Sequence, residues 1–238
     1  MSVTSVKSLF ADMEFATGIC KGCGKQLEFE RFKLYPDLGP SFCNPCGSSY
    51  DTKIQKDAIA KVIDDLFERS NIPIEYTKWD SEIAASTGSD VLVKWLADHR
   101  DESAFVSGLH GKGKTHTVAC CAYKVITQTM KPVMFMNIGQ WLSEMMQAKM
   151  LHVDNRKDIK TACSVDLMVI DDIGKEKLTE SKLELFYNVI DMRERQNKRT
   201  WFTSNFELND IASRLDDNYG PAIVERMRRM VGDNICKL

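Results

Sequence analysis

Ser107-Gly108-Leu109-His110-Gly111-Lys112-Gly113-Lys114-Thr115 contains the pattern G-x-x-x-x-G-K-[ST] of a phosphate-binding loop. The apolar run Ala104-Phe105-Val106 leads into it, and a helix-compatible stretch from Lys114 to Met130 leads out. That is the strand-loop-helix setting such a loop requires. Glycines at Gly108, Gly111 and Gly113 permit a tight backbone whose successive N–H groups turn toward phosphate oxygens, and the helix N-terminus adds partial positive charge. Lys114 then reaches the phosphates and Thr115 holds Mg²⁺, so the segment Gly108, Gly111, Lys112, Gly113, Lys114, Thr115 and His116 is the expected ATP/ADP cradle.

A second half of a nucleotide site follows in Val165-Asp166-Leu167-Met168-Val169-Ile170-Asp171-Asp172. Four consecutive apolar residues read as a strand buried on both faces. The carboxylates fall at its C-terminal end, where parallel α/β sheets bind ligands. Asp171 is expected to orient the Mg²⁺ hydration shell and Asp172 to polarise an attacking water.

Strand and helix signals alternate along the rest of this region. Val133 to Met136, Leu167 to Ile170 and Thr200 to Asn205 read as strands. Stripes at Trp141, Leu142, Met145, Met146 and Met150, and at Leu183, Phe186, Tyr187 and Ile190, read as helices. The expected fold is a parallel sheet flanked by helices. At 238 residues the chain can bury a full core, and a net charge of −2 gives no global pull toward nucleic acid or membrane. No stretch is long and apolar enough to span a bilayer, and no apolar signal core opens the chain, so a cytoplasmic setting is expected.

Cysteine spacing sets a small leading module apart. Cys20-Lys21-Gly22-Cys23 and Cys43-Asn44-Pro45-Cys46 form two C-x₂-C pairs separated by nineteen residues, a spacing suited to structural Zn²⁺. A segment of about 50 residues has too little core to fold unaided, whereas a structural zinc supplies on the order of 10 kcal/mol of apparent folding free energy. Redox-active pairs are the competing reading. The expected division is a zinc-binding module over 1–50, a helical connector over 51–71 and the nucleotide core over 72–238. Val6, Leu9, Phe10 and Met13 recur at helical spacing, which predicts an amphipathic N-terminal helix. Asp51 to Arg69 reads as a second helix, and Ile74-Glu75-Tyr76 as an extended entry to the core.

Together with Thr203-Ser204-Asn205-Phe206 and Ala222-Ile223-Val224-Glu225-Arg226-Met227, these motifs resemble the DnaC/DnaI-type helicase loaders and IstB-like transposition ATPases of the AAA+ superfamily. The cysteine-rich leader resembles the DnaI type more. The resemblance implies a P-loop AAA+ core whose helical lid is reduced or absent, since only Met230 to Leu238 follow Arg229. It implies that Asn205 is a sensor for the γ-phosphate or lytic water. Arg226, with Arg229 as the alternative, becomes a finger entering a neighbour's site in a head-to-tail homo-oligomer. Asp172 stands where the family usually has glutamate, which implies slow or partner-stimulated hydrolysis. The implied partners are a replicative DnaB-type helicase and single-stranded DNA, with no membrane. Lys149, Arg156, Lys157 and Lys160, and then Arg193, Arg195, Lys198 and Arg199, are basic runs that either track phosphates or form ordinary solvated faces. A transposition helper that binds duplex DNA, and a zinc-stabilised nucleotide switch with little hydrolysis, are the alternative functions.

Overall fold

A computed structural model of the chain describes residues 13–21, 24–32, 50–77 and 89–238. In chain order the elements are strands β1 (Met13–Ile19) and β2 (Gln26–Phe32), helix α1 (Tyr50–Glu68), a 3-10 turn (Ile74–Tyr76), α2 (Ser89–Asp98), β3 (Ala104–Ser107), α3 (Lys114–Thr129), β4 (Val133–Asn137), α4 (Ile138–Met150), α5 (Arg156–Ser164), β5 (Leu167–Ile173), α6 (Glu180–Arg195), β6 (Arg199–Ser204), α7 (Leu208–Leu215), α8 (Gly220–Val231) and β7 (Ile235–Lys237). Strands β3 to β7 form one sheet in the order β4-β5-β6-β3-β7, with every neighbouring pair parallel.

Side chains alternate across this sheet with the two-residue period of a strand. Ala104, Val106, Val133, Phe135, Leu167, Val169 and Trp201 face one layer, where they meet Leu92 and Leu96 of α2 and Val118, Ala122 and Val125 of α3. Phe105, Met134, Met136, Met168, Ile170 and Phe202 face the other, against Leu142 of α4, Phe186 and Ile190 of α6, Ile211 of α7 and Met227 of α8. Burial on both faces explains the unbroken apolar runs in β4 and β5. Trp201, Phe105 and Phe202 are fully buried, and truncating any of them to alanine removes about 3–5 kcal/mol.

The sheet order puts β3 between β6 and β7, so the loop after β3 sits beside the end of β6. The edge strand β7 docks in parallel on β3, and the N–H of Leu238 donates to the carbonyl of Ser107 at 2.9 Å. Gly108 (φ +156°) lies against this segment: a Cβ there would come within 2.7 Å of the Leu238 carbonyl oxygen. Residue 108 must therefore be glycine for the last strand and the loop to pack together.

Two expectations change on contact with the structure. Met13, the last member of the N-terminal helical stripe, opens a strand instead. Met13 to Ile19 pair antiparallel with Gln26 to Phe32, and the ladder outweighs a helical signal that reaches poor helix formers at Thr17 and Gly18. Val6, Leu9 and Phe10 lie outside the described residues. Ile74 to Tyr76 turn rather than extend, because Pro73 fixes φ at −57° and the Tyr76 N–H closes onto the Pro73 carbonyl at 2.9 Å.

Candidate functional site

The glycine-rich loop passes directly from β3 into α3, where Gly113 adopts φ 70° at the N-cap and no side chain caps the first turn. The free N–H groups of that turn are what an anion requires. Lys114 opens the helix and folds back over the loop. Its Nζ donates to the carbonyls of Gly108 (2.9 Å) and Leu109 (3.0 Å) and to Oδ1 of Asn205 (2.8 Å). Burial holds this ammonium below its ordinary value, against the pull of the Asp172 and Asp171 carboxylates. Asn205 follows β6 directly, so adjacency of β6 and β3 brings the expected sensor to the expected phosphate lysine.

Asp171 and Thr115 also converge. The Thr115 hydroxyl donates to Asp171 at 2.9 Å, and the Thr203 hydroxyl donates to the same carboxylate from β6. Asp171 is 4% exposed. Burial raises its carboxyl above the ordinary range, opposed by the hydroxyls of Thr203 and Thr115 and reinforced by Asp172. A threonine hydroxyl beside a buried carboxylate is an oxygen donor set suited to a hard cation, so the residues present fit Mg²⁺, which Thr115 and Asp171 would hold.

Asp172 owes its position to a β-bulge. The ladder between β5 and β6 is regular to Ile170–Phe202 and resumes at Ile173–Ser204, leaving Asp171 and Asp172 opposite Thr203 alone. Asp172 takes φ +62°, in the left-handed region that non-glycine residues rarely occupy. Its N–H donates to the Thr203 hydroxyl at 3.1 Å, while the Ser204 hydroxyl donates to the Ile173 carbonyl at 2.6 Å. Consecutive aspartates thereby escape the alternation that would send them to opposite faces. The Asp172 carboxylate accepts from Lys175 Nζ at 2.8 Å.

Beside the first turn of α3, His116 meets the Tyr76 ring edge-on at 5.5 Å, and Cys120 donates to the Tyr76 carbonyl at 2.7 Å. The 3-10 turn thus lines the flank of the loop. Arg69 points away, 76% exposed and paired with Asp65.

Arg226 is on α8, held within its own chain. Its Nε donates to Asp191 at 2.9 Å, Nη1 to the Ala222 carbonyl at 3.3 Å and Nη2 to the Tyr187 hydroxyl, with the guanidinium over the Tyr187 ring at 4.3 Å. Its side chain is 17% exposed, against 55% for Arg229, which pairs with Glu194 and Glu225. Both arginines line a cleft of 580 Å³ with Ser103, Lys198 and Arg199. Those last residues precede or open β3 and β6, so the cleft lies at the end of the sheet away from the phosphate loop.

The second basic run is not a solvated strip. Arg193 is fully buried, and its guanidinium donates to the carbonyls of Ala162, Val165 and Arg199 and to the Thr200 hydroxyl. Arg199 pairs with Asp166 and Asp101. Two of the four candidate phosphate contacts are thus committed to the fold. In the first run, Arg156 pairs with Asp154.

Of the expected zinc ligands, Cys20 is described and buried, at the end of β1. Its N–H donates to the Lys25 carbonyl at 2.8 Å and its carbonyl accepts from Gly24 at 2.8 Å, closing the turn into β2. Cys23, Cys43 and Cys46 lie outside the described residues.

Sequence reasoning passed over Thr203, whose one hydroxyl serves both aspartates, and Lys175. Thr203 stood in a quoted motif, but its role depends on a bulge that no local pattern announces.

Residues 89–231 match the model of the IstB-like ATP binding protein family. No curated protein matches the chain. Among solved structures, the fold is similar to that of the DnaC helicase loader, at 21% identity over 73% of this chain and 98% of that one, with a TM-score of 0.52. It is similar to DnaI at 15% identity, covering 75% of this chain and 93% of that one, with a TM-score of 0.52. It is also similar to AMPPCP-bound DnaA from Aquifex aeolicus at 15% identity, covering 71% and 51%, with a TM-score of 0.54. With the phosphate loop, the paired aspartates and Asn205 gathered at one end of a β4-β5-β6-β3-β7 sheet, and a family match spanning more than half of its length, the chain belongs to the IstB-like ATP-binding family of AAA+ P-loop ATPases.

Proposed function

We propose that the protein is an ATP-dependent loader or remodeller of a replicative hexameric helicase, acting on single-stranded DNA. The observation that carries the ATPase part is the convergence of Lys114 and Thr115 from α3, Asp171 from β5 and Asn205 from the end of β6 within hydrogen-bond reach. In this reading the loop N–H groups and Lys114 bind the β- and γ-phosphates, and Thr115 and Asp171 hold Mg²⁺, which when bound neutralises charge on the transferring group. Asp172 orients the attacking water and Asn205 senses the γ-phosphate. Asp172→Asn then keeps nucleotide binding and loses hydrolysis by about 100-fold or more, as expected for loss of a water-activating group.

The loader assignment is supported by the likeness to the solved helicase loader, almost the whole of which this chain's core covers, and by the two cysteine pairs ahead of that core. Arg226 stands at the end of the sheet remote from its own phosphate loop, so a role in hydrolysis requires a neighbour; a head-to-tail assembly provides one. The cysteines Cys20, Cys23, Cys43 and Cys46 hold one Zn²⁺ and build a module that docks on the helicase. Metal analysis of freshly purified, reduced protein should find one zinc per chain, and its absence would remove the module.

The test is helicase transfer onto circular single-stranded DNA by purified protein and the DnaB-type helicase of the same replicon, with and without ATP. Transfer that requires ATP and the first 49 residues supports the proposal. The family name favours a second reading, a transposition helper. Capture of a cognate transposase with no effect on helicase transfer would establish it instead.

A further inference from the structure

We propose that Lys175 is a positioning residue that masks Asp172, and that the loop carrying it is where α4 acts on hydrolysis; the inference rests on the ATPase reading above. The bulge sets the Asp172 backbone at φ +62° and Thr203 holds its N–H, and the carboxylate lies where Lys175 Nζ meets Oδ2 at 2.8 Å. A carboxylate that activates water needs an open lone pair aimed at that water. An ammonium in contact occupies that oxygen.

The mask is built to be removable. Lys175 is 58% exposed, and ion pairs of that kind are weak, so a small displacement of the loop opens it. Gly174 precedes it at φ +79°, giving the loop a pivot, and Glu176 follows it. The Glu176 carboxylate sits over Gly139 in the first turn of α4, so close that a Cβ on Gly139 would lie 1.4 Å from Oε1. One turn along α4, the Ser143 hydroxyl accepts from Lys182 Nζ at 2.8 Å, tying α4 to the start of α6. At the far end of α4, Met150, Leu151 and Val153 are 80%, 65% and 58% exposed, next to Lys149. α4 is then a lever between that exposed tip and the loop, with Glu176 as the contact at its other end and Lys175 as the neighbour that moves.

The experiment measures steady-state ATP hydrolysis with and without oligothymidylate for the wild type, Lys175→Met, Lys175→Arg and Gly139→Ala, alongside the affinity for a fluorescent ATP analogue. Lys175→Met should raise kcat about three- to ten-fold with KM unchanged, and DNA stimulation should fall toward one. Lys175→Arg keeps a cation in place and should behave as wild type. Gly139→Ala displaces Glu176 from outside the nucleotide site and should raise kcat in the same direction by less. A Lys175→Met chain that binds the analogue normally yet hydrolyses no faster than wild type overturns the mask while leaving the ATPase reading intact. If the wild type and all variants bind the analogue and none hydrolyses ATP, with or without DNA, both fall.

Discussion

The two ends of the sheet each bury a cation, and they treat it differently. Lys114, 6% exposed, and Arg193, fully buried, both donate chiefly to backbone carbonyls, and burial lowers the pKa of both, that of Arg193 to about 9. Arg193 nonetheless remains positive at neutral pH. Its acceptors are the last carbonyls of α5 and a strand end, groups that would otherwise lie orphaned at the negative end of a helix. Lys114 is held by carbonyls of a glycine-rich loop and by one amide oxygen, none of which depends on it for secondary structure. A phosphate can therefore replace the partners of Lys114 without unfolding anything. No ligand can do so for Arg193. What would separate the proposed phosphate ligand from a structural residue here is how easily its partners can be exchanged.

The sharpest way to break that contrast is to remove each cation. Arg193→Ala should cost about 3–5 kcal/mol, from a cavity and several unpaired carbonyls, and lower Tm by roughly 10 °C in calorimetry. Lys114→Ala should leave Tm of the nucleotide-free chain level or slightly higher, because a desolvated charge is gone, while nucleotide affinity falls about 100-fold or more by titration. If the two variants lose stability equally, the distinction between exchangeable and fixed partners is wrong.

The contrast extends to Arg226, which has fixed-looking partners in Asp191 and Tyr187 but is proposed to act on a neighbour. Mixing Arg226→Ala with Lys114→Ala should restore part of the hydrolysis that each lacks, since one variant supplies an intact site and the other an intact finger. Mixtures as inactive as their parts would place Arg226 with Arg193 as a strut.

The smallest effect concerns Asp171. Burial raises its folded carboxyl above an unfolded value of about 4. The folded chain then binds this proton more readily, so the contribution is greatest at acidic pH and declines as pH rises from about 4 through the raised folded value. Without Mg²⁺ or nucleotide, Asp171→Asn should remove that decline, and the difference in Tm between the two proteins should widen in favour of the variant from pH 4 to 7. A constant difference would mean that Asp171 is not held charged against its burial.

Much of the core was legible because its signals are local. Ala104 to Val106, Val133 to Met136 and Leu167 to Ile170 are too short and apolar for anything but buried strands between breakers, and the phosphate loop carries its own conformational demands. Asp171 and Asn205 could be placed because a parallel sheet collects strand ends on one side. What stayed hidden depends on partners distant in sequence. Arg193 reads as one more charge in Arg193-Glu194-Arg195 until α5 presents its carbonyls to it. The bulge at Asp172 exists because Thr203 and Ser204 supply hydroxyls from another strand. Met13 extends a helical stripe on paper, yet its hydrogen bonds go to β2.

The contact between Leu238 and Gly108 also bears on the order of folding. The two residues are 130 positions apart, and the loop at Gly108 is closed on one side by the strand that ends next to Leu238. A contact of that sequence separation carries a high loop-closure cost and forms after the local helices. Until it forms, β3 is unpaired along one edge and Gly108 lacks the backbone that packs against it. The glycine-rich loop therefore takes its final shape only when this edge of the sheet closes.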